Sequence, residues 1–366
     1  MPIALTTFAL NGTMTNELHS VYRQLYDIHG VTNVVRDFLR NVQGRPSTPK
    51  NEIVISVNKD ELFHNLKRAV SLGLASFQEV NELLWDLEEV GRQHILLLVP
   101  DEGKQPIIAN GNDVAVSLFD EADLSAMFPR FEYASQGYVW ADFRLTPNGG
   151  WLAKAYGREI YRQSQGLVST EEMADGTIQE IRQYVMKEVR TTLVAKWRPV
   201  VNVLEIRIDI SNLQNEKTPD FRREQLWQLL KPAFQQTDLV GMNIDKLLSN
   251  LIFEREKPEN VSRYSISRVE LTDPRSGLIR VIPNGSEELD KDPGRRDSLD
   301  AMQRNGFLPS LVRVDWKVGE DSPKSMNEPI SVVVEKTGNG PEIRILKRIS
   351  NDSYEYIFDQ LRSRFE

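Results

Sequence analysis

One stretch, Asn58 to Pro100, limits what this chain can become more than any other. It reads NKDELFHNLKRAVSLGL, then ASFQEVNELLWDLEEVG, then RQHILLLVP. The pattern predicts helix, tight turn, helix, tight turn, strand. Asn58 with Glu61, and Ser76 with Glu79, have the spacing of capping boxes, in which a side-chain oxygen takes an orphan N–H and a carboxylate takes the N–H of the cap. Phe77, Val80, Leu83, Leu84, Leu87 and Val90 fall on one side of a 3.6-residue wheel. Gly91 is placed to end that helix, and His94 to Val99 is long enough for a buried strand.

The opposite side of the second helix carries Gln78, Glu79, Asn81, Glu82, Trp85, Asp86, Glu88 and Glu89, with five carboxylates and no Lys or Arg. Phosphate would repel such a face, because affinity for nucleic acid comes largely from cations. The face therefore suits protein contact better than DNA. Trp85 lies about 150° from the apolar stripe at roughly 100° per residue, so something must cover it. One cover is the chain itself, through helices in 15–42 or the segment 100–137. The other is a partner, for which Trp85, Glu82, Asp86 and Glu89 form a docking patch selecting a basic ligand.

Further along, Tyr138 to Thr146 alternates as a strand, PNGG turns, and WLAKAYGREIYRQ from Trp151 reads as a helix. Segments 106–109 and 113–119 read as strands, and Ile53 to Val57 as a short one. Leu145-Thr146-Pro147-Asn148-Gly149, taken with Phe77 to Ile95, resembles the winged-helix (helix-turn-helix) superfamily over residues 53–165. The resemblance implies a winged-helix fold and, by analogy alone, association with nucleic acid. The long insertion 100–137 departs from the pattern.

Gly166 to Gly176 reads as a boundary, followed by helix over 178–188. Thr191 to Ser211 predicts a hairpin turning near Arg198-Pro199. Thr218-Pro219-Asp220 is a helix start, and Asn243 to Phe253 a short helix. Two strands flank DPRSG, Leu311 to Val318 is a strand, and 329–350 is a hairpin. The closing helix, 352–365, aligns Tyr354, Ile357, Phe358, Leu361 and Phe365. LEIRIDIS (204–211) and PEIRILKRIS (341–350) each precede a helix, an arrangement consistent with an internal repeat. The expected fold class is α+β with a mostly antiparallel sheet. Its parts are N-terminal helices (1–48), a winged-helix-like region (49–165) and an α+β domain (178–366) with a mobile loop at 284–306.

The chain of 366 residues has a net charge of −8 and no cysteine, which excludes disulfides, thiol nucleophiles and cysteine-held metals. No window is long and apolar enough to span a membrane, and the N-terminus lacks the pattern of a signal peptide. The four histidines, His19, His29, His64 and His94, have no metal-ligand spacing. No phosphate-binding glycine motif and no nucleophile elbow occurs. Glu205 and Asp209 share a strand face but stand about 13 Å apart, too far to share one metal.

Arg207, Arg313, Lys317, Arg344 and Arg348 occupy polar phases of predicted strands. If those strands are neighbours, one face gathers cations suited to phosphate or to an acidic protein segment. These features point to a cytoplasmic, non-catalytic adaptor subunit of a nucleic-acid-handling complex, in anti-phage defence or chromosome handling. Another protein subunit is its expected partner and nucleic acid a second one, with no cofactor, metal or membrane. The alternatives are a metal-dependent nuclease with carboxylates in the C-terminal domain, and a transcription regulator with an effector-binding C-terminal domain.

Overall fold

A computed structural model describes residues 18–28, 30–49, 52–102, 107–120, 124, 128, 137–210, 218–254, 263–273, 275, 277–283, 289, 292–326, 328–338 and 340–364. Residues 18–27 form α1, followed by α2 (Thr32–Gln43), α3 (Lys59–Ser71) and α4 (Phe77–Glu89). Both N-caps form, but only Ser76 and Glu79 make the full reciprocal box: the Asn58 N–H goes to Ser56 Oγ at 3.0 Å, and the Glu61 carboxylate takes the Ser56 hydroxyl instead of reaching back to Asn58. Asn58 Oδ1 accepts from the N–H of Asp60 at 2.8 Å. Ser76 N–H donates to Glu79 at 2.7 Å, and Glu79 N–H donates back to Ser76 Oγ at 3.1 Å. Val21, Leu25, Val35, Leu39, Leu62, Leu66, Val80 and Leu84 join these helices in one apolar core.

The strands are β1 (Gln93–Pro100), β2 (Tyr138–Leu145), β3 (Trp151–Glu172), β4 (Ile178–Arg198), β5 (Val203–Asp209), β6 (Leu239–Gly241), β7 (Tyr264–Thr272), β8 (Leu278–Val281), β9 (Leu308–Trp316), β10 (Ile330–Thr337) and β11 (Gly340–Ile345). They make one 11-stranded sheet in the order β2-β3-β4-β5-β1-β11-β10-β9-β7-β8, with β6 beside β1. Every pairing is antiparallel. The fold is α+β. Helices α5 (Gly111–Phe119), α6 (Thr218–Leu230), α7 (Asp245–Phe253), α8 (Pro293–Arg304) and α9 (Asn351–Arg362) complete it.

Strand β1 divides the sheet. Ile95 lies opposite Arg207 on one side and Ile343 on the other, while His94 lies opposite Ile208 and Arg344. Residues directly opposite share a face, and neighbours along a strand do not. Ile95 and Leu97 therefore point into a core with Val312, Val334, Ile343, α7 and α9. Leu96 and Leu98 point into the other core, with Ala153, Ala195, Ile206, α5 and α6. On each face, half of the sheet is apolar and the other half carries charge.

Several sequence expectations change here. The helix expected from Trp151 is the first part of β3, and 178–188 belongs to β4. The reason is a period of two. Trp151, Ala153 and Ala155 enter one core, while Lys154 and Tyr156 face the other way. Hydrogen-bonded neighbours on both sides override the helical preference of Ala, Lys and Glu. Segment 107–109 is a single 3₁₀ turn and 111–119 is helix, not strands, and 53–57 is not a strand.

Gly166 to Gly176, expected as a boundary, is the far end of the β3–β4 hairpin, whose pairing runs from Trp151↔Trp197 to Glu172↔Ile178. Strand β1 does not pair with β2 but sits between β5 and β11, at the centre of the sheet. In the expected mobile loop, residues 293–304 are α8, with Leu299 in a core. Residues 284–288, 290 and 291 of that loop lie outside the described residues. No described helix is long and apolar enough to cross a membrane.

Candidate interaction surfaces of the sheet

The charged half of the first face is covered by α4 and α9. Lys154 is fully buried, with Nζ 3.1 Å from Glu88 and 3.5 Å from Glu89. Tyr156 donates to Glu88 at 2.6 Å, and Arg190 pairs with the same carboxylate. Arg144 pairs with Glu89 and, at 2.9 Å, with Asp142. Burial pulls the Lys154 ammonium below its usual range, and the neighbouring carboxylates oppose that shift. The acidic face of α4 thus finds its basic partner inside its own chain.

A second knot lies beside it under α9. Glu205 has no exposed surface; it receives Arg207 Nε at 2.9 Å and Tyr354 Oη at 3.1 Å, and it also pairs with Arg198. Glu355 takes Arg198 at 2.6 and 2.8 Å and Lys196 at 2.7 Å. Burial alone would raise both carboxyls. The adjacent guanidiniums outweigh it, holding Glu205 below its ordinary range and Glu355 down at about 2. Each buried charge here has a paired counter-charge, which is what keeps such groups tolerable in a low dielectric.

Among the described residues, no helix roofs the charged half of the second face. Arg313 keeps 42% of its side chain exposed, Arg268 36% and Arg280 50%. Arg344 joins them and pairs with Glu335, while Glu270 takes both Arg268 and Arg280. Leu311 and Val333 are buried on this face yet belong to none of the three apolar cores. At the border with α6, His94 Nδ1 lies 3.7 Å from Glu342. Burial, then Arg344 and Arg223, push the imidazole down to about 4, and burial raises the Glu342 carboxyl.

The predicted cation cluster is divided by this geometry. Arg313 and Arg344 share the open face. Arg207 does not: its partner Ile95 faces opposite to His94, the partner of Arg344, and Arg207 is 1% exposed. One odd phase separates β5 from β11 across β1, and the sequence does not show which strand lies between them. Arg348 is turned into the protein, donating to the carbonyl of Leu87 at 2.7 Å and lying 3.6 Å from Asp209. Lys317 follows β9 and is half-buried.

Of the expected docking patch on α4, Glu82 is exposed, whereas Glu89 is buried against Arg144 and Lys154. Asp86 is half-buried, and burial, followed by Glu89, lifts its carboxyl to about 7. Trp85 is half-buried beneath cations, with Arg144 at 5.1 Å and Lys154 at 5.5 Å from its ring. The chain itself supplies most of its cover. A cleft of about 320 Å³ remains beside it, bounded by Leu124, Phe128, Asp142 and Phe143. A wider cleft of about 600 Å³ between α5, β2 and α6 is lined by Phe119, Phe128, Trp140 and Leu229.

Sequence reasoning missed Lys154 and Tyr156 because their segment was read as helix, and Arg190 because it fell between the helix expected over 178–188 and the hairpin expected from Thr191. It also missed Arg268 and Arg280, although both sit in strands it recognised. Among the described residues, no group of three or more His, Asp or Glu side chains is placed to hold a metal ion.

No family model matches the chain, and no curated protein matches it. Among solved structures, the crystal structure of DynU16, a protein of the dynemicin biosynthetic locus, is similar at 7% identity over 75% of this chain and 96% of that one. Its TM-score is 0.16, a likeness that carries no argument about fold or activity.

Proposed function

We propose that this chain is a non-catalytic binding subunit, an adaptor whose open charged half-face receives a partner. One observation carries the reading. The charged half of one face is roofed by α4 and α9, while its counterpart, with Arg268, Arg280, Arg313 and Arg344, stands open over buried Leu311 and Val333. Among the described residues, the carboxylates that a nuclease would need do not converge. Glu205 is sealed in ion pairs, and Asp209 is drawn to Arg348.

A folded protein segment fits this surface better than a bare phosphate chain. Glu270, Glu335 and Asp315 already neutralise most of the arginines, so a polyanion would gain little. A segment bearing both charge signs would satisfy the surface in full. Work within a nucleic-acid-handling complex belongs to the same proposal through the protein partner this face would receive, since the arginines of the face are themselves paired with carboxylates. The test uses Arg313→Glu with Arg344→Glu. Co-purification from native extract should lose a stoichiometric protein partner that the parent retains. Binding of a labelled mixed-sequence DNA duplex should change little with salt. A steep salt slope abolished by the same pair would move the reading to direct nucleic-acid contact. A variant that keeps every parental partner would sink the assignment of this face.

A further inference from the structure

The β3–β4 hairpin is far longer than the sheet needs. Strand β3 pairs with β2 only up to Gly157, opposite Tyr138, and β4 pairs with β5 only from Leu193. From Arg158 and Arg190 outward the two strands pair with each other alone, as far as Glu172↔Ile178. Where the ribbon departs, the Tyr138 ring lies over Gly157 so closely that a Cβ there would meet it at 2.3 Å. Tyr138 donates to Glu159 at 2.8 Å, and Arg222 of α6 grips Glu159 at 2.6 and 2.7 Å. The root is therefore fixed while the rest projects. Residues 158–172 at about 3.3 Å each give roughly 50 Å of reach.

A bare two-stranded ribbon is marginal in water, and this one exposes large apolar side chains. Ile160, Tyr184 and Met186 share one face near the root, and Val168, Met173 and Ile178 are exposed toward the tip. Charge is segregated along it. Arg190 is held by Glu88 and Glu159 by Arg222, so the rest of the root half, 158–166 and 183–190, has by sequence Arg158, Arg162 and Lys187 against Glu188, or 3 − 1 = +2. The tip half, 167–182, has Arg182 against Glu171, Glu172, Asp175 and Glu180, or 1 − 4 = −3. A ribbon basic at one end and acidic at the other is complementary to itself when reversed.

We infer that the ribbon pairs with the ribbon of a second copy of this chain, antiparallel about a twofold axis, acidic tip on basic root. Such an isologous contact closes on itself and leaves no open end. One face about 50 Å long and about 10 Å wide buries on the order of 1,000 Å² over both copies, the lower bound for a specific interface. The open half-face discussed above takes no part, so either idea can fail without the other.

Sedimentation velocity on the full chain over a dilution series tests the pairing. The parent should dimerise, more weakly at high salt. Glu171→Lys/Glu172→Lys and Arg158→Glu/Arg162→Glu should each be monomeric, because tip and root then repel. Mixed one to one, these two variants should form a heterodimer, since both contacts regain opposite charges. Tyr184→Ala should weaken dimerisation at least tenfold, and circular dichroism of each variant should match the parent. Ribbon amides should gain protection from hydrogen exchange as the chain dimerises. A monomeric parent overturns the inference, even if its ribbon binds some other protein. A dimer indifferent to these substitutions, or variants that stay monomeric when mixed, overturns it equally.

Discussion

Replacing Glu205 by Gln should cost as much as stripping one partner from a buried ion pair. The carboxylate has no exposed surface and is shared by Arg198, Arg207 and Tyr354. Gln keeps the shape and removes the charge. Arg207, 1% exposed, then has no carboxylate in contact: it keeps the Glu89 carbonyl at 2.8 Å, the Tyr354 ring at 4.2 Å and, from Gln, one neutral amide oxygen. Within the knot, Lys196, Arg198 and Arg207 would face Glu355 alone. Removing one partner of a buried pair costs about 3–5 kcal/mol, most of it the stranded charge. At about 1.3 °C per kcal/mol for a chain of 366 residues this is a fall in melting temperature of roughly 4–7 °C. The assay is urea denaturation of parent, Glu205→Gln, Arg207→Gln and the double variant. The double should lose less than the sum of the singles by about 2 kcal/mol, because neither charge is left alone. A loss under about 1 kcal/mol for Glu205→Gln, the range of exposed pairs, would refute the reasoning, and so would strict additivity.

Phe358→Ala should cost about 3–5 kcal/mol, since Phe358 is 4% exposed and carries the Arg198 guanidinium 4.1 Å from its ring; a melt within about 2 °C of the parent would contradict this. Asp86 titrates at about 7 in the fold, against an ordinary 3.8. Its folded-state value is raised, so its contribution is fully present below about pH 4 and is lost as pH rises through 7. Asp86→Asn should therefore be more stable than the parent at pH 8 by about 1–2 kcal/mol, a half-buried group yielding less than the roughly 4 kcal/mol of a full three-unit shift. That advantage should shrink toward pH 5, and urea midpoints showing the same gap at both values would oppose it.

The parts of the fold legible in the sequence are those whose pattern is local. Asn58 and Ser76 cap as expected because a cap needs only the next few residues. The turn at Arg198-Pro199 and the closing helix were equally readable. Strand β3 was not, because Ala153, Lys154 and Ala155 are good helix formers, and only two flanking strands make them extended. The face of Arg207 was half legible. Its phase within β5 is right, but whether that phase meets solvent depends on α4 and α9, which come from opposite ends of the chain. The acidic face of α4 misled for the same reason. Glu88 and Glu89 look like bait for an outside ligand until Lys154 and Arg190, more than sixty residues later, are known to lie beneath them. Trp85 was anomalous on a polar face, and its cover of Arg144 and Lys154 comes from strands that the sequence order does not reveal as its neighbours.

The two similar stretches, LEIRIDIS and PEIRILKRIS, gain a physical meaning from β1. Both lie antiparallel to it, one on each side, with Glu205 opposite Leu97 and Glu342 opposite Leu96. A half-turn about β1 would carry one stretch onto the other, and the one-residue offset is what that operation demands, since it exchanges the faces. Each stretch then feeds a helix onto the apolar half of its own strands: α6 with Leu226 and Leu230, α9 with Ile357 and Phe358. Each helix also reaches across β1. Glu355 holds Arg198, and Arg223 of α6 approaches Glu342 at 3.7 Å. The correspondence stops at α4. On one face its carboxylates roof the Arg207 side; on the other nothing comparable roofs Arg344 among the described residues. An arrangement with two equivalent charged halves and one roof has an unfilled position, and that asymmetry, not the arginine count, is why the open half-face is the place to look for a partner.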